Sequence, residues 1–417
     1  MTRRTMLLYL VPVALAAAYL VWKTINPASG TVDFKYLWFA GTLWAEGVNP
    51  YSPIYAARAL EHFQGTNVPT WMVYPPSWYP LARGMAMMPH DIADQVWRLF
   101  NALFIVAAGV IVALTMRRVR RNDAVWPFVM LAVMLGMGVP TALSLSLGQT
   151  APLLLLGVAL YIRGLILGHR GCLAVALVIL MLKPNLGLPF AMFAVAWRVF
   201  WPAVIGAGIV SVLAALPALL PLGLVTVVRS YVETLGDYGS VAVNAPPNLT
   251  GVINLMFYGP GILGINVVAI LVVTAMAWAM AMWLGRRDRD RNRARRAGGH
   301  VGPGSDERVA AVMFLVALSA FCVPLHTYDL IVVLPLVLIA CAERRPFTVV
   351  SIATLASLLV IFRVRNLANV SGFTMPSETV FAGSMLASLA LLMLVCTTAA
   401  HFYMTAVAPR QAAAEMR

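Results

Sequence analysis

The stretch Thr31-Val-Asp-Phe-Lys-Tyr-Leu-Trp-Phe-Ala-Gly41 decides how this chain is read. It follows an apolar run over residues 6–22, long enough to cross a bilayer. A carboxylate, Asp33, therefore stands one or two helical turns past a membrane exit. It opens the longest segment outside the apolar runs, residues 25–94, and leads an aromatic, amphipathic stretch. A carboxylate at the water–lipid boundary suits chemistry on a lipid-borne substrate.

Composition agrees with a membrane setting. Of 417 residues, 61% are hydrophobic and 11% charged, with a mean hydropathy of +0.83. Soluble domains carry about 25% charged residues. The chain reads as one all-α, polytopic membrane domain over 1–417. The net charge of +14 would fit a nucleic-acid partner in a soluble protein. The arginines instead cluster in short loops between apolar runs, as the positive-inside rule places them, so nucleic acid is excluded. Cys172, Cys322, Cys341 and Cys396 lie in or beside apolar runs without C-x-x-C spacing and read as small buried hydrophobes. Arg3 and Arg4 ahead of the first run resemble a signal sequence, but equally flank a retained anchor, which is the expectation adopted.

Apolar length predicts spans at about 6–24, 95–116, 124–141, 150–167, 202–225, 262–284, 309–324, 328–342, 347–362 and 379–403. Two shorter stretches, 172–183 and 186–198, meet at Lys183-Pro184 and predict a helical pair broken at depth. Such a break is tolerated only where it lines a cavity or packs on protein. The total is about 11–13 transmembrane helices. A polar, Pro/Asn-rich loop is expected over 226–261, containing Asn244-Ala-Pro-Pro-Asn248, and an Arg-rich cytoplasmic loop over 285–308. With the N-terminus inside and alternating spans, 21 of the 30 Lys+Arg fall on the inner side, leaving 9 outside. Asp33, Lys35, Gln149, Lys183, Asn248, His326, Tyr328 and Asp329 then share the outer face.

Several of these residues fit chemistry. Asp33 is either an N-cap for the following helix or a general base whose desolvation raises its pKa toward working pH. The aromatics of the first loop, Trp38, Trp44, Tyr51, Tyr55, Trp71, Tyr74, Trp78 and Tyr79, read mostly as interface anchors, with a density that also suits a sugar or lipid tail. Lys183 inside an apolar stretch costs about 2.5–3.5 kcal/mol at mid-bilayer and calls for an anionic partner, such as a lipid phosphate, unless it snorkels. Gln149, in Leu147-Gly-Gln-Thr150, opens a span on the same side and is alternatively a helix cap. Leu325-His-Thr-Tyr-Asp329 packs three polar side chains into a tight turn. They bind a head group or satisfy one another. No convincing metal-ligand spacing, phosphate-cradling Gly loop or G-x-S-x-G element occurs.

Taken in order, these motifs carry a resemblance: Asp-Phe after the first span, Asn-Pro-Tyr, Tyr-Pro-Pro, Gly-Gln before a span, Leu-Lys-Pro, a Pro/Asn-rich loop, then the His/Tyr/Asp turn. From about residue 30 to 345 the chain resembles the polyprenyl-phosphate-sugar-dependent glycosyltransferases of the GT-C fold. It is similar in particular to glycosyltransferase family 87, which includes mycobacterial α-mannosyltransferases. The resemblance implies an inverting transfer, of mannose by that similarity, from a polyprenyl-phosphate donor to a lipid or glycan acceptor at the outer face of the bacterial inner membrane. Asp33 would be the base. Lys183, Gln149 and His326 would face the donor phosphate and lipid. Lys35, Tyr36, Tyr74, Asn248, Tyr328 and Asp329 would face the acceptor or sugar. No cofactor and no metal are implied. The His-Thr-Tyr-Asp turn departs from many relatives. The rival readings are a transporter or flippase, which should show paired halves and mid-membrane charges, and a membrane polymerase or ligase, whose large loop should come late.

Overall fold

The computed structural model describes residues 14, 17–26, 32–64, 68–120, 139–240, 248–256, 262–296, 305–336, 339 and 377–406. All of the expected span at 347–362, that at 124–141 up to residue 138, most of the first run, residues 241–247 and 257–261 of the Pro/Asn-rich loop and Cys341 lie outside them. What is described is helical: α1 (Val32–Ala45), α2 (Ile54–Phe63), α3 (Tyr79–Met85), α4 (His90–Arg120), α5 (Val139–Leu147), α6 (Ala151–Leu167), α7 (Arg170–Met181), α8 (Pro184–Val195), α9 (Trp201–Leu219), α10 (Leu224–Ser240), α11 (Leu249–Met256), α12 (Ile262–Arg296), α13 (Ser305–Cys322) and α14 (Ser377–Ala406). Short 3-10 turns cover Pro76–Trp78, Arg198–Phe200 and Thr327–Val333.

Among the described residues, four helical stretches are long and apolar enough to cross a bilayer: His90–Val119, Trp201–Leu219, Gly264–Arg286 and Ala387–Thr405. They make the protein a multi-pass membrane protein. Helices α6, α7 and α8 are apolar but shorter. They form the bundle's centre, where Gly157 and Gly164 of α6 let α7 approach so closely that a methyl group at Gly164 would strike the Leu173 backbone.

The break expected at Lys183-Pro184 is present. A residue before proline is pushed out of the α region, and Lys183 has φ −127° and ψ 85°. Proline then opens α8 at its first position, where a missing N–H costs nothing. Gly187 makes the fold-back possible: a Cβ there would lie 2.5 Å from the Leu180 carbonyl oxygen.

Several boundaries differ from expectation: the helix from Val139 runs to Leu147, past the expected end at 141, and the loop expected over 285–308 is helical up to Arg296 and again from Ser305, arginine being a good helix former. The apolar stretch expected to span 328–342 opens instead as a 3-10 turn, because Asp329 folds back on His326 and tightens the chain. The span expected at 202–225 ends at Leu219, and the loop expected from 226 is helical over Leu224–Ser240. Val227, Tyr231 and Thr234 turn one face of that helix inward while Val225, Arg229 and Val232 face out.

Two cores result. One joins α4, α6–α9 and α12–α14. The other is a cap built from residues 34–97 with Leu153, Ala218 and Val227. It covers the end of the bundle where α6 begins, α7 ends and α9 ends. In the cap, α1 is buried on most of its circumference, and α2 is the amphipathic element, with Tyr55 and Ala59 turned inward. The aromatics expected as interface anchors therefore divide. Trp38, Trp44, Tyr51, Tyr55 and Trp78 are core residues of the cap, packed on one another and on the loop's helices.

Candidate functional site

Three chain breaks meet under the cap, and side-chain donors pin each one. At the α5–α6 break, Gly148 adopts a left-handed φ of 66°. Its carbonyl accepts from Trp97 Nε1 at 2.8 Å, and the Gln149 carbonyl accepts from Asn101 Nδ2 at 2.8 Å. At the α7–α8 break, the Leu182 carbonyl accepts from Trp78 Nε1 at 2.7 Å. Before the 327–333 turn, the Pro324 carbonyl accepts from Asn185 Nδ2 at 2.8 Å. Breaks inside an apolar bundle expose carbonyls that water cannot reach, so each needs such a donor.

The breaks deliver polar side chains to one place. Asp33 lies in the first turn of α1, where the helix dipole favours a negative charge. It is not an N-cap: its Oδ2 accepts a hydrogen bond from Gln149 Nε2. Lys183 Nζ pairs with Asp329 Oδ2, which also accepts from the His326 backbone N–H at 2.9 Å. Lys183 Nζ lies 5.9 Å from the centre of the Tyr328 ring. His326 stacks on Tyr328 with ring centres 5.2 Å apart, and its Nε2 is 3.2 Å from the hydroxyl of Tyr238.

The electrostatics tie these pairs together. Withdrawal from water pushes the Asp33 carboxyl up from 3.8 to about 7; the Gln149 bond opposes this, the Asp329 charge adds to it and Lys183 opposes it. Burial raises the Tyr74 hydroxyl well above its ordinary range, with the Asp33 charge adding and a bond with Thr150 opposing. Tyr36 moves up for the same first two reasons, opposed by bonds with Thr70. A carboxyl poised near neutrality beside a lysine–aspartate pair is able to take a proton from a hydroxyl while a cation stands ready for an anionic leaving group.

The structure thus gathers Asp33, Tyr36, Tyr74, Gln149, Lys183, His326, Tyr328 and Asp329. Two expected residues are not gathered. Lys35 projects over the Phe63 ring, 5.0 Å from its centre, because the helix turns it toward the cap's aromatic cluster. Asn248 is 0% exposed; its Nδ2 donates to the carbonyls of Ala320 and Val323 and its Oδ1 accepts from Thr250 Oγ1. Its amide anchors α11 to the end of α13 and leaves nothing for a sugar. Gln149, expected to face a donor phosphate, spends its amide on Asp33. Tyr238, whose ring meets that of Trp71 at 6.1 Å, was not expected at the site. The inward face of α10 is the signal for Tyr238, hidden by reading 226–261 as a loop.

A multi-pass helical protein with a carboxylate, a cation and aromatic hydroxyls gathered at one end of its bundle is the class this fold defines. The family model for glycosyltransferase family 87 matches residues 71–302, more than half of the chain, and the chain belongs to that family. It is a membrane glycosyltransferase of the GT-C fold. The match is narrower than the 30–345 expected. It takes in Tyr74, Gln149, Lys183 and Asn248, while Asp33, Lys35, Tyr36, His326, Tyr328 and Asp329 lie beyond its ends. No curated protein matches the chain.

Proposed function

We propose that the protein transfers a sugar, mannose by family likeness, from a polyprenyl phosphate to a hydroxyl of a lipid or glycan acceptor, with inversion at the anomeric carbon. The reaction takes place at the outer face of a bacterial inner membrane, the side on which the positive-inside count puts the cap. Asp33 takes the acceptor proton as the acceptor oxygen bonds to the anomeric carbon. The bond from that carbon to the donor phosphate breaks, and the phosphate leaves with the electron pair. Lys183 meets the charge that grows on it, exchanging its bond to Asp329 for one to phosphate. Tyr36, Tyr74 and Tyr328 line the approach of the sugar and acceptor.

The observation that carries this reading is the half-buried Asp33 carboxyl, pushed up to about 7 by desolvation and set within the field of Lys183 and Asp329. The test uses full-length protein in vesicles with polyprenyl-phospho-mannose and a panel of lipid acceptors, products being separated by thin-layer chromatography. Asp33→Asn is expected to abolish transfer with normal membrane insertion. Turnover retained by that variant sinks the assignment. Lys183→Ala is expected to raise the donor KM, and unchanged donor kinetics remove its role.

A further inference from the structure

The geometry around the α5–α6 break points to Gln149 as a positioning residue for Asp33. Its amide fixes the direction of the carboxylate and favours its ionised form, so that one oxygen is held by the protein and the other is left for the acceptor hydroxyl. The inference rests on the reading of Asp33 as the base.

Four observations make this more than a helix cap. Gln149 is 2% exposed, and its side chain turns away from α6 toward a residue 116 positions earlier. Its own backbone is over-determined: its N–H donates to the Ser144 carbonyl at 2.8 Å, and its carbonyl is held by Asn101, which is itself 0% exposed. The preceding glycine holds a left-handed conformation that other side chains rarely adopt, and its carbonyl is held by Trp97. Helix α6 takes Thr150, not Gln149, as its N-terminal cap residue. So α4 and α5 together aim one neutral N–H donor at one carboxylate oxygen. Neutrality matters. A lysine in this place would pull the carboxyl down and weaken it as a base, whereas an amide orients it at a smaller cost in basicity. The other charged or titratable groups acting on Asp33 or feeling its charge are Lys183, Asp329, Tyr36, Tyr74, Tyr238 and Tyr328. Lys183 is paired with Asp329, so among the described residues the hydrogen bond to the Asp33 carboxylate comes from Gln149.

The experiment is the pH profile of kcat/KM for the full chain in vesicles with polyprenyl-phospho-mannose and an active acceptor. Gln149→Met keeps the volume and removes the donor. It is expected to move the acid limb upward by about one pH unit, since a hydrogen bond to a charged group is lost. It should also lower kcat about tenfold with little change in donor KM. Gln149→Glu puts a second carboxyl against Asp33 and is expected to move the limb further in the same direction. If Gln149→Met does not insert, Trp97→Phe loosens the Gly148 carbonyl and is expected to give a smaller upward move. An acid limb that stays in place in these variants overturns the inference. A raised donor KM with a fixed limb overturns it too, and returns Gln149 to the donor. Failure of the base reading looks different: Asp33→Asn then keeps its turnover, whatever the Gln149 variants do.

Discussion

The cap and the bundle bury their residues by different means. Among the described residues, 8 of the 19 that form the cap's core are aromatic, against 5 of the 54 in the bundle's core. The bundle can use Leu, Val, Ile and Ala because long helices satisfy their own backbone, leaving side chains only to fill space. The cap has short helices of 7–14 residues joined by loops, so many carbonyls lack a helical partner. Indoles and phenols bring a large apolar face and one donor each. Trp38 donates to the Met88 carbonyl at 3.1 Å, Tyr51 to Tyr74 at 2.7 Å and Tyr55 to Tyr36 at 3.0 Å. Trp78 and Trp97 do the same across the boundary, to breaks in the bundle. The lesson is that the cap does not merely sit on the bundle: its aromatic donors set the backbone on which Gln149 and Lys183 stand.

The site is split along the same line. The cap supplies the carboxylate and the bundle supplies the cation. Breaking the carboxylate should have the largest effect. Asp33→Asn is expected to cost 10²- to 10⁴-fold or more in transfer, the usual range for a general base. The same variant sharpens the comparison through stability. The folded chain keeps the Asp33 proton up to about 7, while the unfolded chain releases it near 3.8. The folded state binds more protons in that window, so its stability falls as pH rises through it. Asp33→Asn should therefore raise the unfolding free energy above pH 7, read as a higher melting temperature. The advantage should vanish near pH 4; an equal gain at both pH values contradicts the raised Asp33 pKa.

Next come two glycines, one on each side of the boundary. A Cβ on Gly41 would run into the Ala82 carbonyl and the Ala86 methyl, forcing α1 from α3. Gly187→Ala would push α8 off the end of α7. Each is expected to cost about 1–3 kcal/mol, the range for overpacked cores. Limited proteolysis separates them: Gly41→Ala should expose residues 32–97 while α6–α8 stay protected, and Gly187→Ala should weaken donor binding with the cap intact. Identical digestion patterns would mean that cap and bundle are one cooperative unit.

Trp78→Phe has a smaller expected effect, about 1 kcal/mol in stability, from one lost hydrogen bond. It should raise the donor KM, because the Leu182 carbonyl sets the turn that carries Lys183. Smallest of all is Arg58→Ala on the cap's outer surface, where the Glu46 partner is exposed. It should change unfolding by less than about 1 kcal/mol and leave turnover unaltered.

How far the sequence reached follows the same physics. The Lys183-Pro184 break was legible because its cause is local: a proline and a drop in apolar length. The membrane class and the long first loop were legible for the same reason. The role of Trp38, Trp44 and Trp78 was not, because a tryptophan after a span has the same local signature whether it faces lipid or a core. Asn248 and Lys35 share the expected membrane face yet turn away from the others for a related reason: sharing a face does not say which way a side chain points.

By itself, then, the chain determined that it is helical, that it crosses membranes, and that it breaks at Lys183-Pro184. Tertiary structure alone decided that Gln149 meets Asp33 and that Lys183 meets Asp329, partners 116 and 146 positions apart. Backbone preferences act over a few residues and are written locally. Pairing of buried polar groups is decided only when the breaks converge, because only then are they shut off from water and from every other partner.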